Sequence, residues 1–199
     1  MTAPPARNAP SLTVAGLVLA GGQSRRFGSE KAMALQAGVP LIGIAARALR
    51  PHCAAIAISA GPQSGAAAWA KGEGLPVLAD PPGAPDGPLS GLREGLSWAR
   101  GWGAGYLAVL PCDMPTVTPE VPAALLAALT AGEAGAAAAR DEDGPHALCS
   151  VWRVSALDVL EAAMAGGAHP PVRSVLEQAG VVWVSFDPRL LANANHKLG

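Results

Sequence analysis

The feature that most constrains the fold is an alternation, over the first 130 residues, of short apolar runs with segments of helical spacing. The apolar runs cover residues 12–19, 54–59, 75–79 and 106–110, and each stops at a loop containing glycine, proline or aspartate. Strands buried on both faces of a parallel sheet are continuously apolar in this way. Strand–helix–strand units then build an α/β domain. The sequence therefore predicts a three-layer α/β/α sandwich with a mostly parallel, Rossmann-like central sheet.

The helices are expected to connect these strands and to continue into the second half of the chain. They are predicted at 40–49, 66–71, 89–100, from 120 onwards, 154–165 and 172–178, and three further strands are predicted at 136–140, 147–152 and 181–186. No segment has the composition of an interdomain linker. We therefore expect a single domain over residues 11–199, preceded by a flexible, Pro/Ala-rich lead-in at residues 1–10.

Charge and composition exclude several classes of function. The net charge is −1 and the pI is about 6.4, which argues against a general nucleic-acid binder. No apolar stretch has the length of a signal peptide or a membrane span, so no membrane association is expected. The cysteines, Cys53, Cys112 and Cys149, show no metal-ligand or disulfide spacing. This pattern favours a reduced, cytoplasmic setting.

A glycine-rich loop with cations, LAGGQSRRFGSEK at residues 19–31, follows the first predicted strand. Gly21 and Gly22 allow backbone N–H groups to approach phosphate oxygens closely. Arg26 can donate two parallel hydrogen bonds to a phosphate, and Lys31 supplies a point charge. The spacing fits neither a Walker A loop nor GxGxxG. The loop predicts a nucleoside triphosphate site, with Arg26 and Lys31 in catalytic roles.

A carboxylate follows the fourth predicted strand, in the segment Pro111-Cys112-Asp113-Met114-Pro115. Because ligands of parallel α/β sheets bind beyond the carboxyl ends of the strands, Asp113 is expected near the triphosphate. Mg²⁺ prefers oxygen ligands and would offset the charge of the phosphates. Asp113 is therefore predicted to be catalytic and to hold Mg²⁺ as the cofactor. Cys112 is expected to be a small buried side chain without a chemical role.

The glycine loop resembles the signature L-A-G-G-x-S-x-R-[FM]-G-x-[DE]-K of the molybdenum cofactor guanylyltransferases, and the resemblance extends from Val14 to about Asn195. The resemblance implies that GTP binds to the residues of this chain that match the family's motifs. The nucleotide-binding residues that it implies are Leu19, Ala20, Gly21, Gly22, Lys31, Asp80, Gly87 and Asp113. Asp80 and the Gly87-Pro88-Leu89-Ser90-Gly91 segment match the family's D-x(n)-G-P-L-x-G, which lies near guanine and ribose.

The resemblance also implies an acceptor site formed by His146, Asn193 and Asn195. His146 stands where the family has H-P-[LT], with Ala147 in place of proline. Asn193 and Asn195 match the family's N-x-N, which helps to bind the pterin. The implied partners are GTP, molybdenum-bearing molybdopterin, a molybdenum-insertion protein and molybdoenzyme chaperones.

The resulting prediction is transfer of GMP from GTP to the phosphate of molybdenum-molybdopterin, with release of pyrophosphate. Two alternatives stay open. The first keeps the chemistry and changes the substrate, to CTP with the same pterin or to a sugar phosphate, because Ser59 and Gly61 stand where an asparagine is expected to read the base. The second is a non-catalytic nucleotide- or cofactor-binding protein.

Overall fold

The structure, a computed structural model, describes residues 12–21, 31–84 and 87–194; the predicted lead-in at 1–10 lies outside this part of the chain. The strands are β1 (Val14–Leu19), β2 (Leu35–Gln36), β3 (Val39–Pro40), β4 (Ala55–Ser59), β5 (Val77–Leu78), β6 (Tyr106–Pro111), β7 (Ala136–Arg140), β8 (Pro145–Arg153) and β9 (Val181–Ser185). The α-helices are α1 (Leu41–Leu49), α2 (Gly65–Gly72), α3 (Pro88–Gly101), α4 (Glu120–Thr130), α5 (Leu157–Ala163), α6 (Val172–Gln178) and α7 (Pro188–Leu191). Short 3-10 turns span Lys31–Met33, Val154–Ala156 and Ala165–Gly167.

Seven strands form the main sheet, in the order β5-β4-β1-β6-β8-β7-β9. The pairs β5/β4, β4/β1, β1/β6 and β7/β9 are parallel. Within this sheet β8 alone runs in the opposite direction, because it is antiparallel to both of its neighbours. The predicted mostly parallel sheet is thus confirmed.

Two hydrophobic layers cover the sheet, one on each face. Every residue of β1 is buried, and its side chains alternate between the layers. Val14 and Val18 pack with α1, α2, α4 and α7, whereas Leu17 and Leu19 pack with α3, α5 and α6. A strand enclosed in this way has no polar face, which explains its continuous apolar sequence. The predicted three-layer sandwich is confirmed.

Several elements differ from the sequence prediction. The third predicted strand, at 75–79, is reduced to the two residues of β5 at the sheet edge; Pro76, inside the predicted strand, has no N–H to donate to a ladder. The helix predicted at 154–165 starts as a 3-10 turn. The hairpin of β2 and β3 was not predicted. Its turn places Ala37 and Gly38 at positive φ, 49° and 78°, and alanine at the first of these positions is an unusual turn residue.

The strand order reverses between β1 and β6. From β1 the chain first builds outward through β4 and β5, and then returns to add β6 on the other side. In open α/β sheets the carboxyl ends of the strands on either side of such a reversal form a ligand-binding crevice. We therefore expect a ligand site between residues 19–21, at the end of β1, and Cys112 and Asp113, at the end of β6. Among the described residues, no helix is long and apolar enough to cross a membrane.

Candidate active site

A lysine, an aspartate and an asparagine from distant parts of the chain meet at the reversal point. Lys31 Nζ lies 2.7 Å from Asp113 Oδ2 and donates a hydrogen bond to Asn193 Oδ1 at 3.0 Å. The partners are 82 and 162 residues from Lys31 in sequence. The side chains of Lys31 and Asp113 are 14% and 21% exposed, so they are largely shielded but open to a ligand. The structure thus brings together three of the residues that the sequence singled out.

Backbone contacts fix each member of this cluster. Lys31 opens a 3-10 turn that is anchored by the buried Ala32. Asp113 follows Cys112, whose N–H donates to the carbonyl of Leu19 at 3.0 Å and so ties the end of β6 to the end of β1. The N–H of Ala194 donates to the carbonyl of Asp113 at 2.9 Å. The loop after β6 therefore holds the C-terminal segment against the cluster.

The described start of the glycine loop is held by the neighbouring strands. Ala20 donates its N–H to the carbonyl of Ser59 at the end of β4, at 2.9 Å, and the Leu19 carbonyl accepts from Cys112. These groups of Leu19 and Ala20 are thus engaged in the sheet, and Gly21 is the first exposed residue of the loop. Leu19 and Ala20 set where the loop leaves the sheet. The predicted site residues Gly22, Arg26 and Asn195 lie outside the described part of the chain.

Asp80 and Gly87 lie farther along the same edge. Asp80 is exposed and follows β5, which places it two strands away from β1. Gly87 caps α3 at φ 136°, a conformation that favours glycine. A Cβ at Gly87 would lie 2.5 Å from Cε1 of His169, so the imidazole of that residue occupies the space beside it. Sequence reasoning did not single out His169, because no motif contains it.

Gly91, in the first turn of α3, packs against the end of β1 and β4. A Cβ there would collide with Ser59 Oγ and would lie 3.2 Å from Leu19 Cδ2. This explains the glycine by helix–sheet packing, in addition to the approach of a base that the resemblance implies.

Replacing Gly91 by alanine is expected to lower the free energy of unfolding by about 1–3 kcal/mol, the usual cost of overpacking. Urea denaturation measures the change. Gly101→Ala in the same helix is the matched control, because nothing lies within 4 Å of a Cβ there. It should be neutral or slightly stabilising, since alanine favours helix. Equal midpoints for the two variants would contradict the packing explanation.

His146, a predicted acceptor residue, is paired with an aspartate that the sequence did not single out. Its Nε2 lies 2.7 Å from Oδ2 of Asp141, across the turn between β7 and β8. Pro145 pairs with Arg140 at the end of β7, so this turn lies at the same carboxyl edge of the sheet as the cluster of Lys31, Asp113 and Asn193.

The chemistry of Asp113 fits a divalent metal that is shared with phosphates. Within the described ranges, no group of three or more His, Cys, Asp or Glu side chains could enclose a metal by itself. Mg²⁺ is usually bound by one or two carboxylates together with substrate phosphates. Asp113 offers a carboxylate oxygen beside the ammonium group of Lys31, so it fits that mode of binding.

The cysteines show no sign of nucleophilic activation. All three are free, and Cys112 and Cys149 are buried. Burial raises the pKa of the Cys53 and Cys149 thiols to about 12. A thiol with such a pKa is almost entirely protonated at neutral pH and reacts poorly.

A mostly parallel α/β sheet with a shielded lysine–carboxylate pair at its strand reversal has the features of a nucleotide-phosphate-binding domain. Residues 16–182 match the family of MobA-like NTP transferase domains. The chain belongs to this family.

Individual relatives agree with this assignment. A stretch of 83 residues is 48% identical to a protein of Rhodobacter capsulatus named molybdenum cofactor guanylyltransferase, and it covers 41% of each chain. The matched stretch therefore spans about two fifths of that relative's length.

Solved structures with the same fold include the following two. One is a molybdopterin-guanine dinucleotide biosynthesis protein A from Archaeoglobus fulgidus, with a TM-score of 0.68, 24% identity and coverage of 86% of this chain and 83% of that one. The other is a Mycobacterium tuberculosis protein solved as a complex with manganese, with a TM-score of 0.64, 18% identity and coverage of 90% and 98%.

Proposed function

We propose that this protein transfers GMP from GTP to the terminal phosphate of molybdenum-bearing molybdopterin, forming a molybdopterin guanine dinucleotide and releasing pyrophosphate. The observation that carries the proposal is the contact of Lys31 with both Asp113 and Asn193, at 2.7 and 3.0 Å. Lys31 and Asp113 belong to the predicted triphosphate side, and Asn193 belongs to the predicted acceptor side. One ammonium group thus links the two halves of a transfer site. The name of the Rhodobacter capsulatus relative supports the choice of guanosine and of the molybdenum cofactor.

The transfer is a substitution at the α-phosphorus of GTP. An oxygen of the acceptor phosphate forms a new bond to that phosphorus, and the bond from it to the bridging oxygen of the β-phosphate breaks. The electron pair of the broken bond leaves with pyrophosphate. Because the acceptor phosphate is already ionised, no general base is required. Catalysis then depends on in-line positioning and on neutralising negative charge.

The residues on the nucleotide side have distinct tasks in this proposal. Leu19 and Ala20 fix the origin of the glycine loop, and Gly21 and Gly22 offer backbone N–H groups to the phosphates. Lys31 would offset the negative charge of the triphosphate, which shifts onto the pyrophosphate leaving group during the reaction. The hydrogen bond to the Asp113 carboxylate keeps the ammonium group of Lys31 oriented.

The remaining assignments rest on the resemblance. Arg26 would add a second, bidentate contact to the phosphates. Asp80 and Gly87 would lie along guanine and ribose. His146, Asn193 and Asn195 would bind the phosphorylated pterin.

Asp113 would hold Mg²⁺, which supplies positive charge to the triphosphate when it is bound. The manganese in the Mycobacterium tuberculosis structure is a property of that protein, and it accords with a divalent ion in this fold. The side chain of Asp113 has a second task that does not depend on the metal. It accepts the hydrogen bond from Lys31 and keeps this cation at the edge of the sheet.

We also propose that the reaction takes place in the cytoplasm. Three free cysteines accord with a reducing compartment. A molybdenum-insertion protein and molybdoenzyme chaperones would then supply the substrate and receive the product.

The substrate choice is tested by pyrophosphate release from GTP, CTP and ATP, each with Mg²⁺ and molybdenum-molybdopterin. We expect GTP to be preferred by at least about 100-fold in kcat/KM, because unpaired polar groups in the base site would penalise the other bases. Preference for CTP would contradict the guanylyl assignment. Tight GTP binding without any pyrophosphate release would favour a non-catalytic binding protein.

A further inference from the structure

Asp141 is a buried aspartate in contact with His146, and it has no role in the function proposed so far. The side chain of Asp141 is 4% exposed, whereas the imidazole of His146 is 29% exposed. Oδ2 of Asp141 lies 2.7 Å from Nε2 of His146. The carboxylate of Asp141 is thus almost completely buried and contacts Nε2 of His146. The imidazole of His146 itself is partly exposed to solvent.

The rest of the Asp141 carboxylate is also satisfied. Oδ1 accepts hydrogen bonds from the backbone N–H groups of Asp143 at 3.0 Å and of Gly144 at 3.1 Å. Burial raises the pKa of Asp141, but the hydrogen bond from His146, the charge of that ring and the two backbone N–H groups outweigh it. The pKa therefore lies below its ordinary value, and the group is an anion at neutral pH.

An irregularity in β8 determines where His146 is placed. Ser150 pairs with Ala138 of β7, but the next residue of β7, Ala139, pairs with His146. Residues 147–149 of β8 therefore form a bulge with no opposing residues on β7. Bulges bend a strand and redirect side chains, often beside active sites.

The redirected end of β8 lies at the same edge of the sheet as the candidate site. β8 pairs with β6 as far as Val109 opposite Ser150, and His146 comes before Ser150 on an antiparallel strand. His146 is therefore displaced in the direction in which β6 continues to Asp113. The buried carboxylate accepts a charge-assisted hydrogen bond from this histidine, which fixes the orientation of the ring.

We propose that Asp141 is a positioning residue, which fixes the Nε2–H form of His146 so that Nδ1 is presented to the phosphorylated acceptor. This rests on the proposed function for the identity of the acceptor. A carboxylate only accepts hydrogen bonds, so Nε2 must carry the proton. Nδ1 is then the nitrogen left for substrate, as an acceptor in the neutral ring and as a donor to a phosphate oxygen in the protonated ring.

The test replaces Asp141 by asparagine, with Asp143→Asn as the matched control. Asp143 is an exposed residue of the same turn, and the same chemical change there keeps its backbone N–H. The first readout is the ¹⁵N spectrum of the imidazoles, with His146 assigned from a His146→Gln variant. We expect the Nε2–H form in the wild type and in the control, and a mixed or Nδ1–H population in Asp141→Asn. This readout needs no turnover, so it stands even if the proposed substrate is wrong.

The second readout is steady-state kinetics with each substrate varied in turn. Loss of one oriented, charge-assisted contact predicts a rise of about tenfold in KM for the acceptor. KM for GTP should stay within about twofold, a ratio that corresponds to well under 1 kcal/mol. An unchanged ¹⁵N pattern in Asp141→Asn would overturn the positioning role. A changed pattern with an unchanged acceptor KM would overturn the contact with substrate. Failure of the wild-type protein to use the acceptor would overturn the proposed function instead.

Discussion

Replacing Lys31 by alanine is expected to reduce kcat/KM at least about 100-fold, the usual loss when one preorganised charge is removed from the site of charge development. The ammonium group contacts both Asp113 and Asn193. Its removal would therefore leave the phosphates without this positive charge, and Asn193 without its hydrogen-bond donor. Steady-state kinetics with GTP, Mg²⁺ and molybdenum-molybdopterin measure the effect.

A second lysine provides the control for this prediction. Lys71 is an exposed residue at the end of α2, and Lys71→Ala should leave kcat/KM unchanged. A thermal melt of both variants separates lost catalysis from lost folding. Lys31→Ala is expected to remain folded, because the cluster is partly exposed and contributes little to the two hydrophobic layers. Wild-type turnover by folded Lys31→Ala would remove Lys31 from the mechanism.

Replacing Asp113 by asparagine is the second large effect. The substitution keeps the shape of the side chain and removes its negative charge, so it weakens both the hold on Lys31 and the affinity for Mg²⁺. We expect a loss of about 100- to 1,000-fold in kcat/KM. The Mg²⁺ concentration required for half-maximal rate should rise at the same time. Titration of Mg²⁺ at saturating GTP measures both quantities.

Asp158 serves as the control for Asp113. It is an exposed aspartate that pairs with Arg100 on the surface, and Asp158→Asn should change neither the rate nor the Mg²⁺ dependence. If Asp113→Asn lost activity with the Mg²⁺ dependence unchanged, Asp113 would act on Lys31 alone. An unchanged rate would exclude both of its proposed roles.

Much of the fold could be predicted because its signals are local. The continuous apolar sequence of β1 reflects burial on both faces, and the helical spacing within α3 reflects the layer that it covers. The hairpin of β2 and β3 was hidden by Ala37, since alanine at positive φ is not a usual turn signal. The short length of β5 depends on its place at the sheet edge, which only the topology reveals.

Single site residues could be predicted where a short motif contains a residue type suited to the chemistry, such as a lysine or an aspartate. Lys31 and Asp113 were expected near a triphosphate, but their direct contact joins segments 82 residues apart and needs the folded sheet. Asp141 stands in the acidic turn sequence Asp141-Glu142-Asp143, which resembles an ordinary solvated loop. Asp141 is nevertheless buried and contacts the ring of His146, and neither the burial nor the contact can be read from the sequence.

The central claim, that GMP moves from GTP to a phosphorylated pterin, is tested most directly by following the label of [α-³²P]GTP. The full chain, Mg²⁺ and molybdenum-molybdopterin should convert the label into a dinucleotide product, and [γ-³²P]GTP should deliver its label to pyrophosphate in equal amount. The Lys31→Ala protein should do neither at a comparable rate. If the α-label stayed in GTP, or appeared as free GMP while the acceptor was unchanged, the proposed transfer would be contradicted.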